Sequence, residues 1–154
     1  ISACLVGSEM CIRDRGKLES MRDDLPKAVL HGIADADIGI IGYGSNRGPI
    51  AEAVQRLATA GILTRFLQLR TLWPFPEDDI REFVRGAQHV FVVENNYTGQ
   101  LERLIRAVVG PLDALHGVRK YDGQAFRPIE IIEPIRRIAE VAVRQAHDDT
   151  AEVL

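Results

Sequence analysis

The stretch Asp37-Ile-Gly-Ile-Ile-Gly-Tyr43, followed by Gly44-Ser-Asn-Arg-Gly48 and Pro49, decides how this chain is read. The first seven residues form an apolar run without alternation, bounded by turn residues. Such a run suits a strand covered on both faces, as in a parallel sheet. Pro49 fits the first position of a helix, where its missing N–H costs nothing. Ile50, Ala53, Val54, Leu57 and Ala58 then make one apolar stripe, and Gly61 closes the helix. The same strand-to-helix alternation repeats downstream. Ile62–Leu69 reads as a strand with Leu63, Phe66, Leu67 and Leu69 facing the core. Glu77, Asp78 and Asp79 crowd the start of a helix, where carboxylates favour the positive dipole end, and Ile80, Phe83 and Val84 form its apolar face. His89–Val93 is a third strand, and Leu101, Leu104, Ile105 and Val108 mark the helix after it. Gly117–Tyr121 is a short strand, and Asp122-Gly123 a turn. From Pro128 the spacing of Ile131, Ile132, Ile135, Ile138, Val141 and Ala142 predicts a last helix, which Pro134 is expected to break or kink. Strands alternating with helices imply parallel pairing, hence an α/β fold: a three-layer sandwich with a mostly parallel open sheet.

Working outward, residues 37–147 form the domain, 148–154 a tail expected to fray, and 27–36 a linker. Leu18, Met21 and Leu25 have helix spacing, so residues 16–26 read as a lead-in helix ended by Pro26. Residues 1–15 show neither helix nor strand period. Leu5–Arg15, LVGSEMCIRDR, resembles a translated adapter from sequencing-library preparation, so residues 1–15 are expected to be a disordered technical scar, and the natural protein to extend upstream.

Composition narrows the class. The chain has 154 residues, 46% of them hydrophobic and 27% charged, as in a soluble globular domain. Its 19 Lys and Arg against 22 Asp and Glu leave a net charge of -3, which argues against a nucleic-acid partner. Apolar runs are too short to span a bilayer, so no membrane partner is expected. The two cysteines, Cys4 and Cys11, both lie in the first fifteen residues. The rest of the chain has no disulfide framework, no thiolate nucleophile and no cysteine-ligated cluster.

Four loops carry the polar chemistry. Gly42-Tyr-Gly44-Ser-Asn-Arg-Gly48 is a glycine-rich strand-to-helix turn that could bring amides to a phosphate, with Ser45 and Arg47 as cofactor-binding candidates. Its spacing is GxGxxxG, not GxGxxG, and Gln68, Leu69 and Arg70 stand where a dinucleotide site needs an acidic residue. It reads first as a tight turn ending a buried strand. Glu94-Asn-Asn-Tyr-Thr-Gly-Gln100 follows the third strand, at the edge where open α/β sheets place functional loops. Asn96 or Thr98 could cap the next helix with Glu94 pairing locally, or the loop could face a partner. Trp73-Pro-Phe-Pro76 either plugs the core or meets a partner. Arg119-Lys-Tyr-Asp-Gly123 reads as a solvated strand and turn. His31, His89, His116 and His147 lack ligand spacing, so no metal site is expected, and neither Ser20 nor Ser45 sits in a nucleophile elbow. No catalytic residue is assigned.

Taken in order, IGYGSNRGPIAEAV, LQLRTLWPFP, HVFVVENNYTGQLERLIR and RKYDGQAF resemble the C-terminal domain of the alpha subunit of 2-oxoacid:acceptor (ferredoxin) oxidoreductases, from about Lys17 to Ile138. The resemblance implies a transketolase C-terminal-type fold. It implies a holoenzyme that oxidatively decarboxylates a 2-oxoacid on thiamine diphosphate, with magnesium and an iron–sulfur cluster; which 2-oxoacid is left open, and the form of the Glu94–Gln100 loop leans toward 2-oxoglutarate. Electrons would pass to ferredoxin and the acyl group to coenzyme A. The diphosphate and metal would sit mainly on the beta subunit, with help from the pyrimidine-binding domain upstream, and this domain would bind no cofactor. Gly42, Gly44, Ser45, Gly48 and Pro49 match the family's first turn, and Pro74 and Pro76 its second loop. Glu94, Asn96, Gly99 and Gln100 match its third, and Tyr121, Asp122 and Gly123 its last; Asn46-Arg47 departs from it. Gly44, Ser45, Asn46, Arg47, Trp73, Phe75, Glu94, Asn95, Asn96 and Gln100 are then expected at interfaces with the upstream domain and the beta subunit, in a cytoplasmic heteromer inactive as this fragment alone. Two alternatives stand: a free nucleotide- or anion-binding module using Gly42–Gly48, or the related domain of a transketolase or lipoamide-linked dehydrogenase.

Overall fold

The structure, a computed structural model, describes residues 2–151, with side-chain surroundings over residues 10–141. Along the chain come α1 (Ser2–Ser20), β1 (Val29–Gly32), β2 (Ile38–Tyr43), α2 (Arg47–Thr59), β3 (Thr64–Leu69), α3 (Glu77–Arg85), β4 (His89–Glu94), α4 (Gln100–Val109), β5 (Leu115–Arg119) and α5 (Pro128–Ala151). Short 3-10 turns precede β1 at Met21–Asp23 and α2 at Gly44–Asn46.

The five strands lie in the order β1-β3-β2-β4-β5. β3, β2, β4 and β5 are parallel, with Ile40 opposite Phe66 on one side and Phe91 on the other. One apolar layer packs Ile40, Phe66, Phe91 and Val93 against Ile50, Ala53 and Leu57 of α2 and Ile131, Ile132 and Ile135 of α5. The opposite layer packs Ile41, Leu69, Val90 and Val92 against Ile80 and Phe83 of α3 and Leu101 and Ile105 of α4. Each fully buried aliphatic or aromatic side chain contributes about 1.5–3 kcal/mol, and this two-sided burial explains why β2 lacks alternation. Two glycines let the helices close in on the central strand. A Cβ on Gly39 would lie 2.7 Å from the Phe83 ring, and one on Gly42 would overlap the Ile50 side chain. The three-layer α/β sandwich with a mostly parallel open sheet is therefore the observed fold.

Several expectations are corrected. The linker over 27–36 contains β1, which pairs antiparallel with β3 at the sheet edge. Arg65 ties that edge down, donating to the carbonyls of Ala34 (2.7 Å) and Phe83 (2.9 Å) and lying over the Phe83 ring. Residues 1–15 were expected to be disordered, yet the chain is helical from Ser2, and the helix stops at Ser20 rather than at Pro26. Residues 10–20 are exposed throughout, so no core contact organises this part of the helix; Arg15 pairs with Glu19 and Lys17 with Asp14 along it. Pro49 is third in α2, not first, but stays within the first turn where its missing donor is harmless. β3 begins at Thr64 and leaves Leu63 half exposed, and Leu104 also faces outward. β5 starts at Leu115, two residues before the predicted strand. Pro134 does not end α5, which continues to Ala151. An interior proline costs about 3 kcal/mol, and fully buried Ile131 and Ile135 on either side of it offset that cost. Of the tail expected to fray, 148–151 belong to α5, and 152–154 lie outside the described residues.

Candidate functional site at the carboxyl edge of the sheet

The chain leaves β2 for β3 on one side and returns to β4 on the other, so the loops after β2 and β4 diverge at a topological switch point. Open α/β sheets bind partners and ligands at this place. A cavity of about 500 Å³ opens there, lined by Ser45, Asn95, Lys120, Tyr121, Gly123, Gln124 and Ala125.

The loop after β4 is built around one buried carboxylate. Glu94 is fully inaccessible. It accepts hydrogen bonds from Asn96 Nδ2 (2.6 Å), the Leu101 amide (2.7 Å) and the Glu102 amide (3.1 Å). Asn96 Oδ1 accepts from the amides of Gly99 (2.7 Å) and Gln100 (3.2 Å). Four successive amides at the start of α4, which a helix leaves without internal partners, are thus all satisfied by two side chains. Glu94, fully buried and accepting three hydrogen bonds, is not left over for a partner. Of the two readings offered for this loop, the structure shows the local one: Asn96 caps the helix and Glu94 pairs within the loop. Asn46, expected at an interface, is likewise held locally: it is buried and its Nδ2 reaches the Val93 carbonyl at 3.4 Å, tying the first turn to the end of β4.

A second network braces α4 against β5. Glu102 Oε1 accepts from Arg106 Nε at 3.0 Å, and Oε2 from Arg119 Nη2 at 2.6 Å. Burial alone would raise the Glu102 carboxyl, but the hydrogen bonds and charges of Arg119 and Arg106 outweigh it and hold its pKa below the ordinary carboxylate value. The Glu102 hydrogen bond in turn raises Arg119. Arg106 also donates to the carbonyls of Leu112 and Leu115. Gly99 has φ +67°, and a Cβ there would meet the Arg119 guanidinium at 2.8 Å. At the cavity's far side, Lys120 donates to both Glu130 oxygens at 2.9 Å. The Arg127 amide first, then Lys120, bring the Glu130 carboxyl down to about 2. These paired charges hold loops in place, and sequence reading missed their mutual contacts.

The rest of the rim faces outward. Trp73 is 67% exposed, Tyr97 70% and Tyr121 66%, and the two tyrosines meet edge to face at 5.0 Å between ring centres. Trp73, read as a core plug or a contact, is therefore no plug. Phe75, expected at an interface, is the plug: it is buried between β3 and α3. Gly44, Ser45, Arg47, Asn95 and Gln100 are exposed around the same edge. Among the described residues no three His, Cys, Asp or Glu side chains are grouped to hold a metal. Cys4 and Cys11, the only thiols, cannot supply an iron–sulfur cluster that needs four ligands. No described helix is long and apolar enough to cross a membrane.

Known proteins match this arrangement. Residues 36–131 match the family model described as pyruvate:ferredoxin oxidoreductase core domain II. The 2-oxoacid:ferredoxin oxidoreductase 2 subunit alpha of Aeropyrum pernix is 35% identical over 123 residues, 80% of this chain and 19% of its own length. The 2-oxoglutarate synthase subunit KorA of Methanothermobacter marburgensis is 31% identical, over 77% of this chain and 32% of its own. This chain thus spans about a fifth to a third of those relatives. The structure of 2-oxoglutarate:ferredoxin oxidoreductase from Magnetococcus marinus, bound to 2-oxoglutarate, coenzyme A and succinyl-CoA, superposes with a TM-score of 0.75 at 30% identity. It covers 86% of this chain and 23% of that one. A split-gene transketolase shares the fold, with a TM-score of 0.62 at 18% identity over 72% of this chain and 40% of its own. The chain belongs to the family of pyruvate:ferredoxin oxidoreductase core domain II.

Proposed function

We propose that this chain is an assembly domain of the alpha subunit of a 2-oxoacid:ferredoxin oxidoreductase. The assembled enzyme decarboxylates a 2-oxoacid oxidatively, passes the acyl group to coenzyme A and the electrons to ferredoxin. Thiamine diphosphate, magnesium and the iron–sulfur cluster are held by other parts of this cytoplasmic enzyme. The 2-oxoacid to test first is 2-oxoglutarate, the compound in the names of the Methanothermobacter and Magnetococcus relatives.

One observation carries the reading. At the carboxyl edge the helix-terminal amides and carboxylates are already paired internally, while Trp73, Tyr97 and Tyr121 stand out in solvent. An edge with its chemistry closed and its aromatic surface open suits contact with protein, and aromatic side chains are enriched in the centres of interfaces. Its partners are the preceding pyrimidine-binding domain and the beta subunit, met by Gly44, Ser45, Arg47, Trp73, Asn95 and Gln100. The free nucleotide-binding module is not favoured, because the family match runs through β2, β3, β4 and β5 and the end of β3 lacks the acidic ribose ligand.

The test mixes this chain with the remaining alpha-subunit polypeptide and the beta subunit, and follows 2-oxoglutarate- and coenzyme A-dependent reduction of ferredoxin. The chain alone gives no turnover, and adding the beta subunit alone does not restore it; all parts together give turnover. Turnover by the chain alone would overturn the proposal.

A further inference from the structure

We propose that His89 and His116 form a two-imidazole site for a borderline divalent cation of the zinc, nickel or copper type. The pair sits at the amino edge of the sheet, across from the cavity described above, on the side that packs against α5. His89 opens β4 and His116 is second in β5. In the parallel register Phe91 is opposite His116, which places His89 diagonally beside it on the same face. The Phe91 ring lies 5.0 Å from the His116 ring and supports it from below.

The geometry suits a shared cation. His89 Nδ1 and His116 Nε2 are 3.2 Å apart. Two nitrogens at that separation, each about 2.0 Å from a cation, subtend roughly 105° at it, near the tetrahedral angle. The rings now face each other through one N–H···N contact, so binding replaces a single neutral hydrogen bond and needs a modest tilt of each ring. Among the described residues the outer nitrogens, His89 Nε2 and His116 Nδ1, have no hydrogen-bond partner that would resist it. Both rings are half-buried, which leaves room for water in the remaining coordination positions. The neutral imidazole is the ligating form. Imidazole pairs take zinc, nickel and copper; magnesium and calcium want oxygen ligands. With two protein ligands the site is exchangeable, and its cation fastens the edge strand β5 to β4.

The experiment uses the chain with Cys4 and Cys11 both replaced by Ser, freed of metal with a chelator, and titrated with zinc chloride by calorimetry at neutral pH. Expected is one zinc per chain and a rise in melting temperature, with no response to magnesium. His89→Ala and His116→Ala each weaken zinc binding at least about tenfold, since even the loss of a supporting partner behind a ligand costs that much. His116→Gln, which keeps a polar side chain of similar reach against Phe91, serves if the alanine variant does not fold. His31→Ala, on the far edge strand, leaves zinc binding unchanged. No zinc uptake by the folded chain, or uptake that survives loss of both His89 and His116, overturns the proposal.

Discussion

Replacing Glu94 with alanine strands the amides of Leu101 and Glu102 in a site that solvent does not reach. A buried donor left without a partner costs about 1–3 kcal/mol. Two such donors give roughly 4 kcal/mol, a large share of the 5–15 kcal/mol that keeps a domain folded. For a chain of this size 1 kcal/mol moves the melting temperature by about 2–4 °C, so Glu94→Ala should lower it by about 8–16 °C. Glu94→Gln retains one oxygen and can serve one amide, but it turns an NH2 toward the other. Its loss should be about half as large. Both are read by thermal and urea unfolding followed by circular dichroism. Ser20→Ala, on the exposed end of α1, is the reference and should change nothing measurable. A Glu94→Ala melting temperature within about 2 °C of the parent would refute the capping role. If the assembled enzyme lost turnover while that stability was unchanged, Glu94 would act in assembly or catalysis instead.

Other outcomes follow from the same contacts. The Glu130 carboxyl is held at about 2 against an ordinary 4.5, so its stabilising effect is complete above pH 4.5 and is lost as pH falls toward 2. Glu130→Gln should remove that part of the pH dependence in urea titrations. Gly99→Ala combines a left-handed backbone, φ +67°, with a clash on Arg119, and should cost at least about 1–3 kcal/mol in the same assay. Tyr97→Ala and Tyr121→Ala should leave the stability of the chain within about 0.5 kcal/mol, because both rings are exposed. The same two changes should weaken co-elution of the chain with the rest of the proposed enzyme on size-exclusion chromatography.

Strand-to-helix alternation was legible because burial on both faces writes long apolar runs, as in Ile38–Tyr43 and His89–Val93. β1 was not legible. It is four residues long, half exposed and held by pairing to β3 some 35 positions away in register, from Gly32↔Arg65 to Val29↔Gln68, which no local pattern encodes. Trp73 and Phe75 share one proline-bounded loop, and only the packing of β3 against α3 decides which ring goes inward. The loop after β4 was half legible. Asn96 ahead of the helix signalled a cap, and a cap it is. Glu94 reaches seven and eight residues forward to amides brought back by the turn, beyond the spacing of common capping motifs. Arg119 and Glu102 meet only because β5 lies beside β4, so their pairing was invisible before the sheet was assembled.

The most direct measurement is reconstitution of turnover with and without this chain. The remaining alpha-subunit polypeptide and the beta subunit are combined, and 2-oxoglutarate- and coenzyme A-dependent ferredoxin reduction is followed as this chain is added. An assembly domain predicts no rate from the chain alone and a rate that rises to saturation as the complex fills. Reduction by the chain alone, or a rate in the other parts that does not depend on adding it, would contradict that role.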